Sequence, residues 1–354
     1  MKKLKIGVIG VGNISELHID AYLNNPECEL YAFCDIDEGR LKEKADKYKI
    51  SRRYTDCREM LRALPELDAV SVCTWNCAHA DCAIAALEAG KHVFCEKPMA
   101  MNAQQTEAMR AAAQKAGKVL GIGFVRRHAD DAAFARELVQ TGKAGEIYYS
   151  RANYIRRNGN PGGWFSDKEL SGGGPLIDLG VHVIDLVRYI VGNPRPVSVY
   201  GATFSKLGAR HNVKDKRFYV SAGSRGKEDI CNVEDLATAL IRFEDGSVLH
   251  AEMSFALNVE KDSGRIELFG TKGGITIDPA VSFHTEFADR LADITFPTPV
   301  VYEGVAFRRE IGNFVDAVLR GAPLLATADD GVEMMKILDA VYESARTGHE
   351  VILG

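Results

Sequence analysis

The sequence predicts two domains: a doubly wound α/β domain with a parallel sheet, followed by an α+β domain with one mostly antiparallel sheet. Apolar strands and helical stretches alternate as far as residue 123, as they do in repeated strand–helix units. After residue 124 this alternation stops, and most of the apolar runs have the length and pattern of antiparallel strands. A chain of 354 residues is also long for one domain. We therefore expect domains at residues 1–123 and 124–354.

Composition and charge exclude several classes of protein. The chain is 46% hydrophobic and 26% charged, which is typical of a globular protein with a sizeable core. Its net charge of -5 gives no electrostatic basis for binding nucleic acid or an anionic membrane. No apolar run is long enough to span a bilayer, and the glycine-broken run Leu4–Gly10 lacks the cleavage site of a signal peptide. We expect a cytosolic protein.

The chain contains 8 cysteines. Cys73, Cys77 and Cys82 are clustered, but their spacing is not that of a zinc ribbon or a redox pair. Several cysteines fall within predicted strands and helices, where buried free thiols are common. We predict no disulfide bond and no metal site.

The first strand, helix and turn predict a dinucleotide site. Leu4–Gly10 is a strand, and the turn Gly10-Val11-Gly12-Asn13-Ile14-Ser15 leads into a helix from about Ile14 to Asn24. Gly10 permits the tight turn, and Gly12 lets the backbone approach a pyrophosphate at the start of the helix. Asn13 and Ile14 at that helix start join the predicted contacts. Ser15 replaces the third glycine of the usual pattern and is small enough to keep helix and strand close.

An acidic residue at the end of the second strand predicts which dinucleotide binds. The strand from about Glu29 to Cys34 ends at Asp35, a little over twenty residues after the glycines. A carboxylate there accepts hydrogen bonds from the adenosine ribose and repels the extra phosphate of NADP, so we predict NAD. The alternative is that Asp35 or Asp37 only caps a helix that begins near Glu38.

The next strand–helix units place more polar residues at the same edge. Thr74, Trp75 and Asn76 follow the strand Asp68–Cys73, and ligands of open parallel sheets bind outside the carboxyl ends of the strands. We therefore expect these three residues at the cofactor. His79 is left unassigned, because it could equally be an ordinary helix residue. The remaining predicted elements of this domain are the helices His79–Ala89 and Asn102–Ala116 and the strands Lys91–Cys95 and Val119–Gly123.

Glu96, Lys97 and Pro98 end the strand Lys91–Cys95. Pro98 lacks an N–H and stops the strand, so Glu96 and Lys97 lie where a ligand would bind. The alternative is a surface salt bridge, which is common and contributes little.

The sequence of the second half of the chain predicts one sheet with helices packed around it. The turn Glu244–Ser247 joins two strands as a hairpin, and Lys272–Gly274 marks another turn. The predicted strands are Ile147–Ile155, Val197–Phe204, Leu236–Phe243, Val248–Leu257 and Arg265–Phe269, and the predicted helices are Asp131–Thr141, Val305–Arg320 and Ala328–Ala345.

A glycine-rich stretch, Ser171–Gly174, precedes an apolar helix from Leu176 to Ile190. Asp178, His182 and Asp185 are spaced to share one face of this helix. Buried polar groups must be paired or must face a cavity. His182 is therefore either a core histidine satisfied by a neighbouring acid or a general base that Asp178 orients.

Together these motifs resemble the family of glucose–fructose oxidoreductase, inositol dehydrogenase and MocA. The resemblance rests on Gly10-x-Gly12, on Asp35, on Glu96-Lys97-Pro98, and on Gly172-Gly173-Gly174 followed by Asp178-x-x-x-His182. It runs from Lys5 to about Val351. Two departures are Ser15 for the third glycine and Trp75 where the family commonly has proline.

The resemblance implies a fold and a set of roles. It implies a Rossmann domain that binds NAD through the residues above, Glu96 and Lys97 included, and a second domain with a large open sheet whose face often forms a homodimer or homotetramer. Lys97 and His182 match the catalytic residues of the family, and Asp178 matches the supporting acid. The implied substrate contacts also include Arg127, Tyr154, Arg156 and Trp164, the last three in a variable segment.

The resulting hypothesis is oxidation of one secondary hydroxyl of a sugar or cyclic polyol, such as an inositol or a glucoside, by NAD. His182 takes the hydroxyl proton, Lys97 stabilises the oxygen, and the hydride passes to the cofactor. One alternative is a redox-neutral glycosidase or lyase that oxidises the sugar only transiently. The other is a cofactor sensor on the same fold.

Overall fold

The computed structural model describes residues 3–208, 210, 212–214, 230–278, 280–297 and 303–354. The chain divides into two compact units, one of residues Met1–His128 with Val301–Met335 and one of residues Ala129–Val300 with Lys336–Gly354. The chain therefore returns to the first unit near its end, whereas the division at residue 123 assigned the whole second half to one domain.

The first unit contains a six-stranded sheet in the order β3-β2-β1-β4-β5-β6, with every described pair of strands parallel. This is the predicted doubly wound sheet. Its elements are β1 Leu4–Ile9, α1 Ser15–Leu23, β2 Cys28–Cys34, α2 Glu38–Tyr48, β3 Arg53–Tyr54, α3 Cys57–Ala63, β4 Ala69–Val72, α4 Asn76–Glu88, β5 His92–Glu96, α5 Ala103–Ala116 and β6 Leu120–Gly123.

Local sequence explains where several of these elements begin and end. All four residues of β4 are buried, as expected of a strand covered by helices on both faces. The Asn102 side chain accepts a hydrogen bond from the Gln105 amide and caps α5. Gly117 ends α5 in the left-handed conformation, with φ of 62°. Because the strands are parallel, the residues that follow β1, β2, β4 and β5 share one edge of the sheet.

The second half of the chain contains the remaining helices and strands. A 3₁₀ helix, Val125–His128, and the helix Glu303–Arg320 belong to the first unit, and the last helix, Ala328–Thr347, enters the second unit at Lys336. The other elements are α6 Asp130–Gln140, β7 Ile147–Ile155, a 3₁₀ helix Gly163–Ser166, α7 Lys168–Ser171, a π-helix Leu176–Gly180, α8 Val181–Val191, β8 Pro196–Phe204, β9 Leu236–Phe243, β10 Val248–Ser254, β11 Ile266–Gly270, β12 Gly273–Asp278, β13 Ala280–Phe287, β14 Arg290–Thr295, α9 Glu303–Arg320, α10 Ala328–Thr347 and β15 Val351–Ile352.

The sheet of the second unit has nine described strands in the order β14-β13-β12-β11-β7-β10-β9-β8-β15. Every described pair is antiparallel except β7 and β10, which run parallel. The predicted hairpin at Glu244–Ser247 is confirmed, because β9 and β10 pair in antiparallel register from Arg242 and Val248. The expected mostly antiparallel sheet is therefore present.

The sequence predicted one regular helix from Leu176 to Ile190, but the structure differs from this prediction at the helix start. Its first turn is the π-helix Leu176–Gly180, and the Val181 amide reaches back to the Leu176 carbonyl. Such five-residue steps are rare and occur frequently at functional sites. Regular α-helix begins only at Val181.

In the described part of the chain, we find no helix with the length and apolar content that crossing a membrane requires.

Candidate functional site

The turn after β1 has the shape of a nucleotide cradle. Gly10 adopts φ of +85°, and a Cβ atom there would lie 2.7 Å from the backbone of Cys73 and Thr74. Only glycine fits, because both the conformation and the space exclude a side chain. A Cβ at Gly12 would meet no atom within 4 Å, so the backbone at Gly12 faces open space that a phosphate can approach.

Ser15 has a role beyond its small size. Its side chain is buried, and its hydroxyl donates to the Gly12 carbonyl oxygen at 2.6 Å. This bond ties the turn to the start of α1, where the preceding Ile14 provides no side-chain cap. The backbone amides of the first helical turn, beside the exposed Asn13, can therefore bind an anion.

Asp35 lies against the same turn. Its carboxylate accepts hydrogen bonds from the Val11 amide at 2.8 Å and the Asp37 amide at 2.9 Å. The side chain that caps α2 is Asp37, which accepts from the Arg40 amide. The helix-capping alternative thus applies to Asp37, and Asp35 stays the predicted ribose contact. An Arg40 nitrogen lies 3.5 Å from the Asp35 carboxylate.

The residues after β4 are linked to those after β5 by His79. The His79 Nδ1 lies 2.8 Å from the Pro98 carbonyl oxygen, and Nε2 lies 3.1 Å from the Thr74 carbonyl oxygen. The ring is buried, and burial lowers the pKa of His79 despite these two carbonyls. Trp75 occupies the N-cap position of α4, and Asn76 is the first, buried residue of that helix. His79, unassigned from the sequence, therefore joins two loops at the predicted cofactor edge.

Lys97 is the one residue between Val93 and Ala100, all described, that is not buried. The adjacent Glu96 is only 5% exposed. Its carboxylate accepts from the Lys97 amide at 3.0 Å and contacts His18 Nε2 at 2.7 Å. The Glu96 carboxylate therefore points into the unit and pairs with His18. The predicted cofactor contact of Glu96 stays a prediction.

His18 and Glu96 form a buried polar pair that the sequence did not reveal. His18 Nδ1 lies 2.9 Å from the Ser71 hydroxyl, so both ring nitrogens have partners. Burial opposes charge on both groups, but Cys73 and then Glu96 raise the pKa of His18, and the contact with His18 lowers the pKa of Glu96. The only sequence signal was a histidine within the apolar face of a short helix. The pair fixes the backbone from which Lys97 projects.

In the second unit, Asp178 and His182 stand out by exposure. They are the only residues from 173 to 190, all of them described, that are not buried. Asp185 was predicted on the same face but is only 1% exposed. Of the three polar residues, Asp178 and His182 are therefore accessible, and Asp185 is buried. The π-helical turn changes the angular spacing on which the one-face prediction depended. An accessible acid and imidazole on a buried helix can bind and exchange protons with a ligand.

The variable segment combines aromatic and basic side chains. The Arg156 guanidinium lies 5.1 Å from the centre of the Tyr154 ring and donates to the Gly159 carbonyl oxygen. The Trp164 and Phe165 rings pack with their centres 3.9 Å apart. All of these side chains are partly exposed, so they can offer hydrogen bonds and an apolar face to a sugar.

Arg127 has strong contacts within the first unit. It is 1% exposed, and one guanidinium nitrogen lies 3.1 Å from the Asp330 carboxylate. The same nitrogen donates to the Leu325 carbonyl oxygen. Burial would raise the pKa of Asp330, but the neighbouring Arg127 lowers it below its ordinary value. These contacts give Arg127 a structural role, beside which its substrate contact remains a prediction.

Comparison with known proteins identifies relatives over the whole chain. The chain is 36% identical to D-glucoside 3-dehydrogenase of Escherichia coli (strain K12), over 99% of this chain and 97% of the relative. It is 28% identical to myo-inositol 2-dehydrogenase of Thermotoga maritima, over 93% and 92%. The solved structure of levoglucosan dehydrogenase in complex with NADH and levoglucosan matches with a TM-score of 0.85, 25% identity and 99% coverage of both chains.

Two family models match the chain almost end to end. Residues 4–124 match the NAD-binding Rossmann fold of the Gfo/Idh/MocA oxidoreductase family. Residues 136–353 match the C-terminal alpha/beta domain of the same family. The resemblance inferred from the motifs is therefore confirmed, and so are the predicted cofactor, NAD, and the assignment as an enzyme. This chain belongs to the Gfo/Idh/MocA family of NAD-dependent oxidoreductases, whose members include sugar and polyol dehydrogenases.

Proposed function

We propose that this protein oxidises one secondary hydroxyl of a glycoside to a ketone, with reduction of NAD. The hydroxyl that we favour is the 3-hydroxyl of a D-glucoside, because the 36% identity to D-glucoside 3-dehydrogenase extends over 99% of the chain. The levoglucosan complex supports the same substrate class, since levoglucosan is also a glucose derivative with its anomeric carbon blocked.

The first unit fits NAD. Gly10 and Gly12 leave space for a pyrophosphate, and the Asp35 carboxylate lies beside the turn where a ribose would bind. Asn13, Ile14, Thr74, Trp75, Asn76 and Glu96 complete the proposed cofactor contacts. When bound, NAD accepts the hydride that leaves the carbinol carbon.

In this proposal one side chain accepts the proton of the substrate hydroxyl, and another stabilises its oxygen. His182 accepts the hydroxyl proton, because a neutral imidazole has a ring nitrogen that can take one. Asp178 orients that ring. The Lys97 ammonium donates a hydrogen bond to the substrate oxygen and stabilises the negative charge that develops on it. The carbinol thus loses a proton to His182 and a hydride to the cofactor, and becomes a carbonyl.

The variable segment supplies the proposed sugar contacts. Trp164 presents an aromatic face to the C–H surface of the pyranose ring. Tyr154 and Arg156 donate hydrogen bonds to hydroxyl groups that do not react. Arg127 is kept as a proposed contact, although its ion pair with Asp330 gives it a second role.

The exposed face of the second sheet supports a homodimer or homotetramer. Tyr200 and Leu240 are paired across β8 and β9, and they are 51% and 47% exposed. Phe204 on β8 is 41% exposed. Exposed apolar side chains on one face of a sheet are typical of a protein interface. Light scattering after gel filtration would give the mass of the assembly.

The observation that carries the proposed chemistry is the exposure of Asp178 and His182 within a stretch where every other residue is buried. A helix that served only the core would have no reason to keep an acid and an imidazole accessible.

The test is a substrate panel. Purified protein is mixed with NAD and, separately, with methyl D-glucosides, levoglucosan, inositols, free aldoses and a chromogenic aryl glucoside. The proposal predicts steady NADH formation, fastest with a glucoside, and a 3-keto product by NMR. Release of the aryl group without NADH would instead identify the redox-neutral glycosidase. NAD binding with neither product would favour the sensor.

A further inference from the structure

The start of the helix that carries Asp178 and His182 is held by a carboxylate from far along the chain. Glu234 lies just before β9 and is 7% exposed. One of its oxygens accepts a hydrogen bond from the Gly174 amide at 3.0 Å, and the other accepts from the Leu176 amide at 3.1 Å. These are amides at the helix start, which have no partner within the helix.

Tyr342 on α10 supports the same carboxylate. Its hydroxyl donates to Glu234 at 2.9 Å. Burial raises the pKa of Glu234, and the two amides and the Tyr342 hydroxyl oppose that rise. The pKa of Tyr342 is raised well above its ordinary value, chiefly by burial and then by Glu234. The hydroxyl therefore acts as a donor to Glu234.

Glu234 and Tyr342 also explain the glycines before the helix. A Cβ atom at Gly173 would lie 1.9 Å from the Tyr342 hydroxyl, and one at Gly174 would lie 2.4 Å from the Glu234 carbonyl oxygen. Both distances are too short for any side chain. The glycine stretch thus allows Glu234 and Tyr342 to approach the backbone that leads into the helix.

The fixed amides lie directly before the π-helical turn. Leu176 is its first residue, and its carbonyl accepts the five-residue hydrogen bond from Val181. Asp178 lies within this turn, and His182 follows one residue after Val181. Two hydrogen bonds that these amides donate to one carboxyl group fix the first backbone groups of this segment in position and orientation.

We infer that Glu234 is a positioning residue for His182, acting through the backbone of Gly174 and Leu176. This inference rests on the proposed function, because it takes His182 as the proton acceptor. Glu234 touches neither substrate nor cofactor in this assignment. It sets the orientation of the helix start, so its loss should slow hydride transfer without weakening the binding of NAD.

Asp235 provides a matched control on the next residue. Asp235 is 3% exposed, and its carboxylate accepts from the backbone amides of Lys206, Leu207 and Gly208. It is therefore also a buried carboxylate that binds three donors in the same unit. It holds the segment after β8, however, and makes none of the hydrogen bonds to the start of the His182 helix.

The experiment compares Glu234→Gln with Asp235→Asn in the full-length enzyme. For each variant we would measure the melting temperature, the Kd for NAD, and kcat and KM with methyl β-D-glucoside. The deuterium isotope effect with the 3-deuterated glucoside would be measured as well. Loss of folded protein lowers the apparent kcat, but it leaves the isotope effect and the Kd of the folded molecules unchanged.

For Glu234→Gln we expect kcat to fall by about tenfold to a hundredfold, since small misplacements of a catalytic group have effects of this size. The isotope effect should rise, and the Kd for NAD should stay within about twofold of the wild-type value. Asp235→Asn should lower the melting temperature but keep the isotope effect of the wild type. Equal kcat and isotope effects in the two variants would overturn the inference.

Two further variants keep the test decisive. Tyr342→Phe removes one donor to Glu234 and should lower kcat by about two- to tenfold, the worth of one hydrogen bond, with a raised isotope effect. If Glu234→Gln does not fold, this variant decides, and an unchanged isotope effect would refute the positioning role. His182→Gln tests the premise separately, because normal turnover in that variant would refute His182 as the proton acceptor, whereas no turnover of the glucoside by the wild type would refute the proposed function.

Discussion

The two units present their proposed catalytic side chains in the same way but hold them by different means. In each, an accessible charged or titratable group lies in a stretch that is otherwise buried: Lys97 after β5, and Asp178 in the π-helical turn with His182 at the start of α8. The backbone at Lys97 is fixed by Glu96, its immediate neighbour, which contacts His18. The helix start in the second unit is fixed by Glu234, about sixty positions away along the chain.

This difference decides how well each part of the site can be read from a sequence. Around Lys97 the strand, the charged pair and the proline are adjacent and predict the site directly. Around His182 the sequence shows glycines and a polar stripe, but not the carboxylate and phenol that make the glycines necessary. The comparison also predicts that substitutions around Lys97 and around His182 will have different effects.

The largest effect should come from the two catalytic side chains. Lys97→Met and His182→Gln should each lower kcat by about a hundredfold or more, because each removes a group that acts on the reacting hydroxyl. The Kd for NAD, measured by fluorescence titration, should change little. Full activity in either variant would remove that residue from the mechanism. Lys91→Met, a lysine whose side chain donates to the Pro65 carbonyl oxygen, is a suitable control.

Arg127→Met tests whether this predicted substrate contact is chiefly structural. Removing one partner of a buried ion pair leaves the other uncompensated and costs about 3 kcal/mol. We expect the free energy of unfolding, measured by urea denaturation at neutral pH, to fall by this amount.

The pH dependence of this loss is a further check. Because the pKa of Asp330 is lowered in the folded protein, the ion pair contributes stability above the ordinary aspartate pKa. That contribution is lost as the pH falls through the pKa of Asp330 in the folded protein. The stability difference between wild type and variant should therefore shrink at acid pH. A raised KM for the sugar with unchanged stability would instead support substrate binding.

Much of the first unit could be predicted, because each signal lies within a few residues of its effect. The glycine turn, Asp35 and the strand end at Lys97 all fall where the pattern predicts. The roles of His18 and His79 were not predictable, because their partners, Glu96, Thr74 and Pro98, come together only when the sheet forms.

In the second unit the sequence located most strands, including the hairpin at Glu244–Ser247, but not the parallel pairing of β7 with β10. Strand pairing between distant segments depends on tertiary packing and leaves no local pattern. The π-helical turn at Leu176–Gly180 was missed for a similar reason. Helical periodicity assumes regular spacing, and the residues that hold this turn, Glu234 and Tyr342, are far away in sequence.

Two alanine substitutions separate folding from binding in the glycine turn. Gly10→Ala should destabilise the protein, because its Cβ would lie 2.7 Å from backbone atoms. Gly12→Ala should leave the melting temperature nearly unchanged, since that Cβ meets no atom within 4 Å. It should nevertheless raise the Kd for NAD about tenfold, because the added methyl group keeps the pyrophosphate away from the backbone. Calorimetry and NAD titration would measure the two effects. Unchanged NAD affinity in Gly12→Ala would argue against a pyrophosphate at this turn.

The smallest effect concerns the choice between NAD and NADP. Asp35→Ser removes the carboxylate that repels a 2′-phosphate and leaves Arg40, 3.5 Å from that carboxylate, available to it. We expect the ratio of kcat/KM for NADP to that for NAD to rise by about tenfold, which is the effect of ~1.4 kcal/mol. Asp37→Ser, which alters the cap of α2, serves as the control. An unchanged ratio in Asp35→Ser would contradict the ribose contact.

The most direct test of the central claim, that Lys97 and His182 act on the same hydroxyl, is a double-mutant cycle on kcat for glucoside oxidation. Residues that act as a unit give strongly non-additive losses. We predict that the double variant Lys97→Met/His182→Gln loses little more activity than the more damaged single variant. A loss equal to the product of the two single losses would show that the residues act independently, and it would contradict the proposed mechanism.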